Sequence, residues 1–534
     1  FTPADFGWTT WPATVQAEGK GFWFDVRVPR QGKMKAAVDT ADRDKREMWK
    51  VAPTSPTKTI TNGTTGAQLG DTDVLASGMF YDASIVAHAN GYSSRMVITD
   101  TVDTDKVWIG GRDADDTSKV TVTGPDGQVV SGAQVSVERS GGRTVVSAVL
   151  TDLAQGAYTL KVPTYVQPTG SDYQVTDSPR VCYGADASTC LEGSSKTTRK
   201  VTPRPDKVWT LDEAGALTAS DPQGTNQVAA DQKVFLPGDG VAAVVNGSIK
   251  AGLQQDLEAY SIADDWSDAS KYVDFGDASL ARVYLGGQDV TDQFSITVKD
   301  GVTTAVAKKE FLARTHGLGQ DTVVKLVVQG RFRTDYRTDG QTVRMENKGF
   351  EVYNNETVRT NTPPVFTWTP DPHKQVIGSG EQDGSHRLEN VEGMSVLPGQ
   401  KVQYTVQLDL RVPGNAARGI KSLGVKDVYD ARLEADAKSI EVYDSRTGKA
   451  VPSSSYKLDL NEDAHTFSLT FTEDFIKANT QVDSLGGVQW KDGAVLTMRF
   501  AGTVKGDTPD GSTLSNTAFQ LINGVETRTE TPVV

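Results

Sequence analysis

Three lysines stand two residues after a proline at the head of an extended segment: Pro56-Thr57-Lys58, Pro205-Asp206-Lys207 and Pro372-His373-Lys374. The residue two beyond each is apolar (Ile60, Trp209, Val376), so strand alternation turns the lysine the same way, into a core. Three aspartates have apolar residues two before and two after them: Asp100 between Ile98 and Val102, Asp264 between Ile262 and Trp266, and Asp427 between Val425 and Tyr429. Asp265 competes with Asp264 for the second of these positions. Late in the second and third copies an asparagine is followed by a small residue at plus two and phenylalanine at plus three: Asn347-Lys348-Gly349-Phe350 and Asn516-Thr517-Ala518-Phe519. A buried amine is costly unless something uses it. These residue types can react with one another. An uncharged lysine amine attacks the asparagine amide carbon, a protonated aspartic acid hydrogen-bonds the carbonyl oxygen and shuttles protons, and ammonia leaves. Free lysine titrates near about 10.4 and aspartate near about 3.9, so both begin in the wrong state, and burial moves both toward neutrality. Folding itself supplies the proximity, and the reaction is single-turnover and self-directed.

The elements that must position these groups are strands. The lysines are 149 and 167 residues apart, the size of one domain each. The expected division is a lead-in or the end of a preceding domain over 1–50, then domains over 51–203, 204–369 and 370–534. Further landmarks recur in order: Leu236-Pro237-Gly238-Asp239 and Leu397-Pro398-Gly399-Gln400 open apolar stretches, and Phe311-Leu312 and Phe475-Ile476 mark short helical turns before the last strands. The first copy is more divergent, with only Leu150 to Leu153 in that place. Lys401 to Asp409 alternates with period two and Thr322 to Val328 is more continuously apolar, both strand patterns. Leu253 to Tyr260 and Thr472 to Ala478 read as short helices, the second with Thr472 as N-cap and acids in its first turn. Proline- and threonine-rich joints at 194–205 and 360–372 favour semi-rigid connectors. The fold class expected is all-β: three tandem immunoglobulin-like β-sandwich domains in an elongated, monomeric rod with short helical turns. Strict alternation puts Phe519 on the face opposite Asn516, so a bulge or strand boundary must intervene if both are buried.

A net charge of −14 with interspersed basic residues disfavours nonspecific binding to nucleic acid or anionic lipid. No apolar run is long enough to span a bilayer, so no membrane insertion of this segment is expected. The chain begins at Phe1 and ends at Val534, and reads as a fragment whose targeting and anchoring segments lie elsewhere. Asp113, Asp115 and Asp116 form the densest acidic cluster and read as a solvated turn, not a calcium loop. No metal or cofactor is expected. Cys182 and Cys190 flank a sequence suited to a hairpin tip, so a disulfide between neighbouring strands fits, as it would in an oxidising exterior; a pair of free thiols is the alternative. Five histidines (His88, His316, His373, His386, His465) are scattered singly, with no nucleophile elbow, zincin motif or phosphate loop, so no enzyme is expected. Trp266, Trp368 and Trp490 suggest a second reading, carbohydrate-binding accessory modules of a secreted glycoside-active enzyme, although such tryptophans are more often core.

With its P-x-K openings, apolar-x-D segments and terminal N-x-[AG]-F, the chain resembles Gram-positive surface adhesins and pilins whose immunoglobulin-like domains carry spontaneous intramolecular isopeptide bonds. In particular, roughly residues 50 to 534 are similar to the C-terminal domains of streptococcal antigen I/II adhesins. The resemblance implies two crosslink triads, Lys207, Asp264 and Asn347, and Lys374, Asp427 and Asn516. The first copy departs from the pattern. Lys58 and Asp100 fit, but the last position is Asp177-Ser178-Pro179-Arg180, with aspartate for asparagine and neither the small residue nor the phenylalanine. Lys58 can condense with Asp177, losing water, or the Cys182–Cys190 bridge clamps that hairpin and the isopeptide has been lost. The resemblance further implies an extracellular, cell-wall-anchored stalk that projects a binding head. It leaves open direct adhesion to a host glycoprotein, a glycan or a partner-bacterium surface ligand.

Overall fold

The computed structural model describes residues 53–534 apart from 92, 229, 379–389, 483–487 and 492–494, together with two short paired strands, Phe22–Trp23 and Met48–Trp49. The rest of the expected lead-in over 1–50, including Trp8, Trp11 and Phe24, and also His386, lie outside the described residues. The fold is mostly β, with paired sheets stacked as sandwiches.

Each sandwich is assembled in the same way. The lysine-bearing strands Thr57–Asn62, Asp206–Thr210 and His373–Gly378 are edge strands, each paired antiparallel with the next long strand: Phe80–Ala89, Gly240–Ile249 and Lys401–Gln407. A proline just before an edge strand costs no ladder hydrogen bond, which suits the recurring proline to this position. The opposite sheet carries the aspartate strands Arg95–Val102, Tyr260–Asp265 and Leu423–Tyr429. Each is paired antiparallel with a strand from the end of its own sandwich: Tyr173–Tyr183, Lys348–Tyr353 and Asn516–Ile522. Lysine therefore approaches from one sheet, while acid and amide sit side by side on the other.

The turn before the second strand is also shared. Gly238 and Gly399, in the two Leu-Pro-Gly sequences, have φ of 85° and 82°. Gly78 has φ 83° before Phe80–Ala89, so the first copy keeps the left-handed turn with Ala76-Ser77-Gly78-Met79 in place of Leu-Pro-Gly. Thr472 caps the helix Glu473–Asn479 by accepting from the Phe475 amide, as expected, and Lys309–Leu312 forms the equivalent turn around Phe311.

Two expectations need correction. Leu253 to Tyr260 forms no helix despite its apolar spacing, because tertiary partners take its backbone groups. Thr315 Oγ1 accepts from the Leu257 amide, Asn354 Oδ1 accepts from Glu258 and Ala259, and the Gly317 amide donates to the Leu253 carbonyl. Asp115 is more than a solvated turn residue: it binds the Arg139 guanidinium at 2.7 Å and accepts from the Ile109 amide. A helix the pattern did not announce, Glu213–Thr218, is capped by Asp212, which accepts from Gly215 at 2.8 Å. It covers the outer face of the Lys207 sheet over Val208, Val244 and Val327.

Trp266, Trp368 and Trp490 are all buried. Trp266 meets Phe275 edge-on and donates to Thr303 Oγ1. None offers an open indole face for a sugar ring, which removes the observation behind the carbohydrate-module reading.

Candidate crosslink sites in the sandwich cores

Alternation does what the spacing demands. Lys58, Lys207 and Lys374 have fully buried side chains, and so do Asp100, Asp264 and Asp427. In the third sandwich Lys374 Nζ donates both to Asp427 Oδ2 and, at 2.7 Å, to Asn516 Oδ1. The amine, acid and amide expected there are in mutual contact. In the second sandwich Lys207 Nζ lies 2.6 Å from Asp264 Oδ1, while Asp265 points outward to Ser267 and Lys348. Asn347 is buried beside Asp264, whose carboxylate it helps to stabilise, and neither its carboxamide oxygen nor its nitrogen has a well-formed hydrogen bond.

In the first sandwich Lys58 Nζ sits between two carboxylates, 2.5 Å from Asp100 and 3.4 Å from Asp177. Tyr81 Oη donates to both Asp177 oxygens at 3.2 Å. Composition and motif gave no sign of Tyr81; only the packed strand reveals it. The Cys182–Cys190 disulfide is present, joining directly paired residues of Tyr173–Tyr183 and Thr189–Glu192 with Cα atoms 4.0 Å apart.

One register serves all three sites. Each aspartate lies directly across from the residue two beyond the amide or its replacement: Asp100 opposite Pro179, Asp264 opposite Gly349, Asp427 opposite Ala518. Residues opposite one another in an antiparallel pair share a face, so that residue stands in the space between acid and amide that the amine must enter. This explains the small residue at plus two. A Cβ on Gly349 would come within 2.8 Å of Val245, the direct partner of Lys207. The Phe519 difficulty resolves without a bulge. Asn516, Ala518 and Gln520 face inward, while Phe519 lies half-buried on the outer face under the Lys426 ammonium. Phe350 lies under Arg359 in the same way.

The backbone of each core lysine in the second and third sandwiches is pinned by a residue beyond the final hairpin. Asn361 Oδ1 accepts from the Lys207 amide at 2.6 Å, and Glu530 Oε2 from the Lys374 amide at 2.9 Å.

The electrostatics follow from burial. Desolvation pushes the Asp264 and Asp427 carboxyls above the ordinary aspartate range, against the pull of Lys207 and Lys374. Desolvation likewise holds the Lys207 and Lys374 amines below the ordinary lysine value, against the pull of the same acids. Both partners move toward their neutral forms. In the first sandwich burial raises Asp100, and raises Asp177 to about 7.

Among the described residues no group of three or more histidine, cysteine or acidic side chains is arranged to hold a metal. His373 is occupied by Glu530, its Nδ1 2.7 Å from Oε1.

Comparison with known proteins agrees in part with the resemblance read from the motifs. Comparison with curated protein sequences finds no match. The C-terminal domain of the Streptococcus pyogenes antigen I/II-family protein AspA aligns with 14% identity and a TM-score of 0.43, over 62% of this chain and 98% of its own length. The C-terminal domain of the Streptococcus agalactiae AgI/II polypeptide BspA gives 14% and 0.41, over 62% and 99%. The N-terminal domain of the Streptococcus gordonii adhesin Sgo0707 gives 9% and 0.27, over 90% and 91%. Residues 372–533, which span nearly the whole third sandwich, match the family described as cell surface antigen I/II C2 terminal domain. Over these residues, therefore, the third sandwich is similar to an antigen I/II C2 terminal domain.

Proposed function

We propose that this chain is a load-bearing stalk segment of a cell-surface adhesin, divided into domains over 51–203, 204–369 and 370–534. Each of the last two is closed by an autocatalytic amide: Lys207 to Asn347 and Lys374 to Asn516. The observation that carries the reading is the simultaneous contact of the buried Lys374 amine with Asp427 and with the Asn516 carbonyl oxygen at 2.7 Å.

The chemistry balances within the site. The neutral amine adds to the side-chain carbonyl carbon, the protonated aspartate stabilises the developing oxyanion, the carbon–nitrogen bond to the carboxamide nitrogen breaks, and one ammonia leaves. Burial favours the neutral form of both amine and acid, and close packing supplies the effective concentration. Asp264 takes the acid role in the second sandwich and Asp427 in the third. In the first sandwich Lys58 and Asp177 form an amide by losing water, with Asp100 as the acid. The competing reading for that sandwich is a persistent ion pair clamped by the disulfide. A mass deficit of one water favours the former and its absence the latter.

Lys374 and Asn516 lie near the two ends of their domain, so tension applied at 370 and 534 passes through the amide and bypasses the residues between. The resulting segment resists shear and proteolysis on the bacterial exterior. A host glycoprotein, a glycan or a partner-bacterium surface is the class of ligand this adhesin contacts, through a distal head or these domains themselves. Single-molecule pulling from the two ends tests the stalk role. The second and third sandwiches are expected to extend only by the residues outside each crosslinked loop, and full extension of either contradicts the proposal.

A further inference from the structure

The strand that carries Lys207 inward carries Asp206 outward, and a second constellation of the same residue types stands on that reverse face. Asp206, Asn246 and Lys325 are directly paired across three adjacent strands, Asp206–Thr210, Gly240–Ile249 and Thr322–Phe332. Lys325 Nζ donates to Asn246 Oδ1 at 2.7 Å and to the Ala219 carbonyl at 2.6 Å. Asn246 Nδ2 in turn donates to Asp206 Oδ1 at 2.7 Å, and to Ala219 O at 3.3 Å. Asp206 and Asn246 are buried and Lys325 half-buried, roofed by the capped helix Glu213–Thr218 and the segment that follows it. Asp206 also accepts from the Asp221 amide at 2.7 Å, which fixes its carboxyl toward the asparagine.

From this juxtaposition we infer a further crosslink site in the second sandwich: Lys325 joins Asn246 in an amide, with Asp206 as the proton carrier. The Lys325 amine adds to Asn246 Cγ, the Cγ–Nδ2 bond breaks, and ammonia departs. The proton lost by the amine reaches the leaving nitrogen through the Asp206 carboxyl, which ends in its starting state. The lysine-to-carboxamide contact has the same length as that between Lys374 and Asn516 in the third core. Desolvation holds Lys325 below, and Asp206 above, their ordinary values, the same directions as in the cores. The product ties the two long central strands of that sheet across residues 79 apart in sequence. The other two sandwiches provide internal controls. Their corresponding rows are Thr57, Val86 and Thr159, and His373, Gln407 and Thr497, with no lysine in either.

Proteolytic mapping of the whole chain by tandem mass spectrometry tests the site. The expected result is a branched peptide joining Asn246 to Lys325 and lighter than the sum of its arms by one ammonia. Linear peptides carrying unmodified Asn246 and Lys325 would overturn the inference. The core crosslinks yield different branched peptides, so their fate is read separately in the same digest. In a time course after synthesis, Asp206→Ala is expected to slow formation of the Asn246–Lys325 product by about a hundredfold. An unchanged rate would remove Asp206 from its assigned role.

Discussion

At the scale of single residues, burial without compensation is what makes the core lysines informative. Lys374 sits in a fully buried site with one acid, one carboxamide and the Tyr404 ring 5.2 Å away, so its contacts serve either an ion pair or a bond-forming reaction. Asp427→Ala separates these. The variant is expected to keep a full-mass Lys374 and Asn516, and to lose about 2–4 kcal/mol of stability to denaturant from the missing crosslink. Retention of the ammonia deficit would show that Asp427 is not the acid. A second buried acid gives a pH prediction independent of the crosslinks. Glu351 is raised from the ordinary 4.5 to about 8 by desolvation, although it accepts from Tyr260 Oη and the Ser248 amide at 2.8 Å. A carboxyl raised in the folded state favours folding most below its unfolded value, and that contribution is lost as pH climbs through the folded one. Thermal stability should therefore fall between about pH 4.5 and 8. Glu351→Gln should flatten that slope, and an unchanged slope would contradict the assignment.

At the scale of elements, the shared register explains most of what the motifs conveyed. The plus-two residue is small because it lies directly across from the acid, and the plus-three phenylalanine is an outer-face platform for a cation. Gly349→Val should force the new side chain onto Val245 and cost about 1–3 kcal/mol, with less crosslinked product. A chemical denaturation curve with the wild-type midpoint would refute the packing argument. The alternating strands, the Thr472 cap and the Asp264 position were legible because period and capping are local signals. The segment from Leu253 to Tyr260 was misread because its helical spacing is overridden by Thr315 and Asn354, which are distant in sequence. Glu213–Thr218 went unnoticed because six residues carry little periodicity, although Asp212 was a readable cap. The outward row of Asp206, Asn246 and Lys325 depends on the pairing of three strands, which no linear spacing encodes.

At the scale of the whole molecule, specific contacts cross the joints between neighbouring sandwiches. Between the first and second, Lys200 Nζ lies 2.6 and 2.7 Å from the two Glu356 oxygens, with both side chains buried. The same carboxylate accepts from the Thr169 amide at 2.8 Å. The adjoining turn adds Asn354 Nδ2 to the Ser77 carbonyl and Asn355 Nδ2 to Tyr165 Oη. Apolar packing also runs through this joint, where Val74 bridges to Leu253. Between the second and third, Val234 bridges to Ala416 and Arg418 donates to the Leu211 and Gly240 carbonyls. Glu356→Ala leaves the buried Lys200 ammonium without its carboxylate, with only the Thr202 hydroxyl and the Ser171 carbonyl as partners, a change worth about 3–5 kcal/mol, and should loosen the first joint. Small-angle scattering should show a broader distribution of shapes and proteases should cut near 201–205, whereas wild-type behaviour in both would rule out this contact as the lock.

The proposed core crosslinks change the covalent mass of the chain, so they are read from the intact mass of the unmodified protein under denaturing, reducing conditions. The two core triads predict a deficit of at least two ammonias relative to the sequence, with the lost nitrogen mapping to Asn347 and Asn516. A mass equal to the sequence would leave Lys207 and Lys374 as buried ion pairs and contradict the proposal.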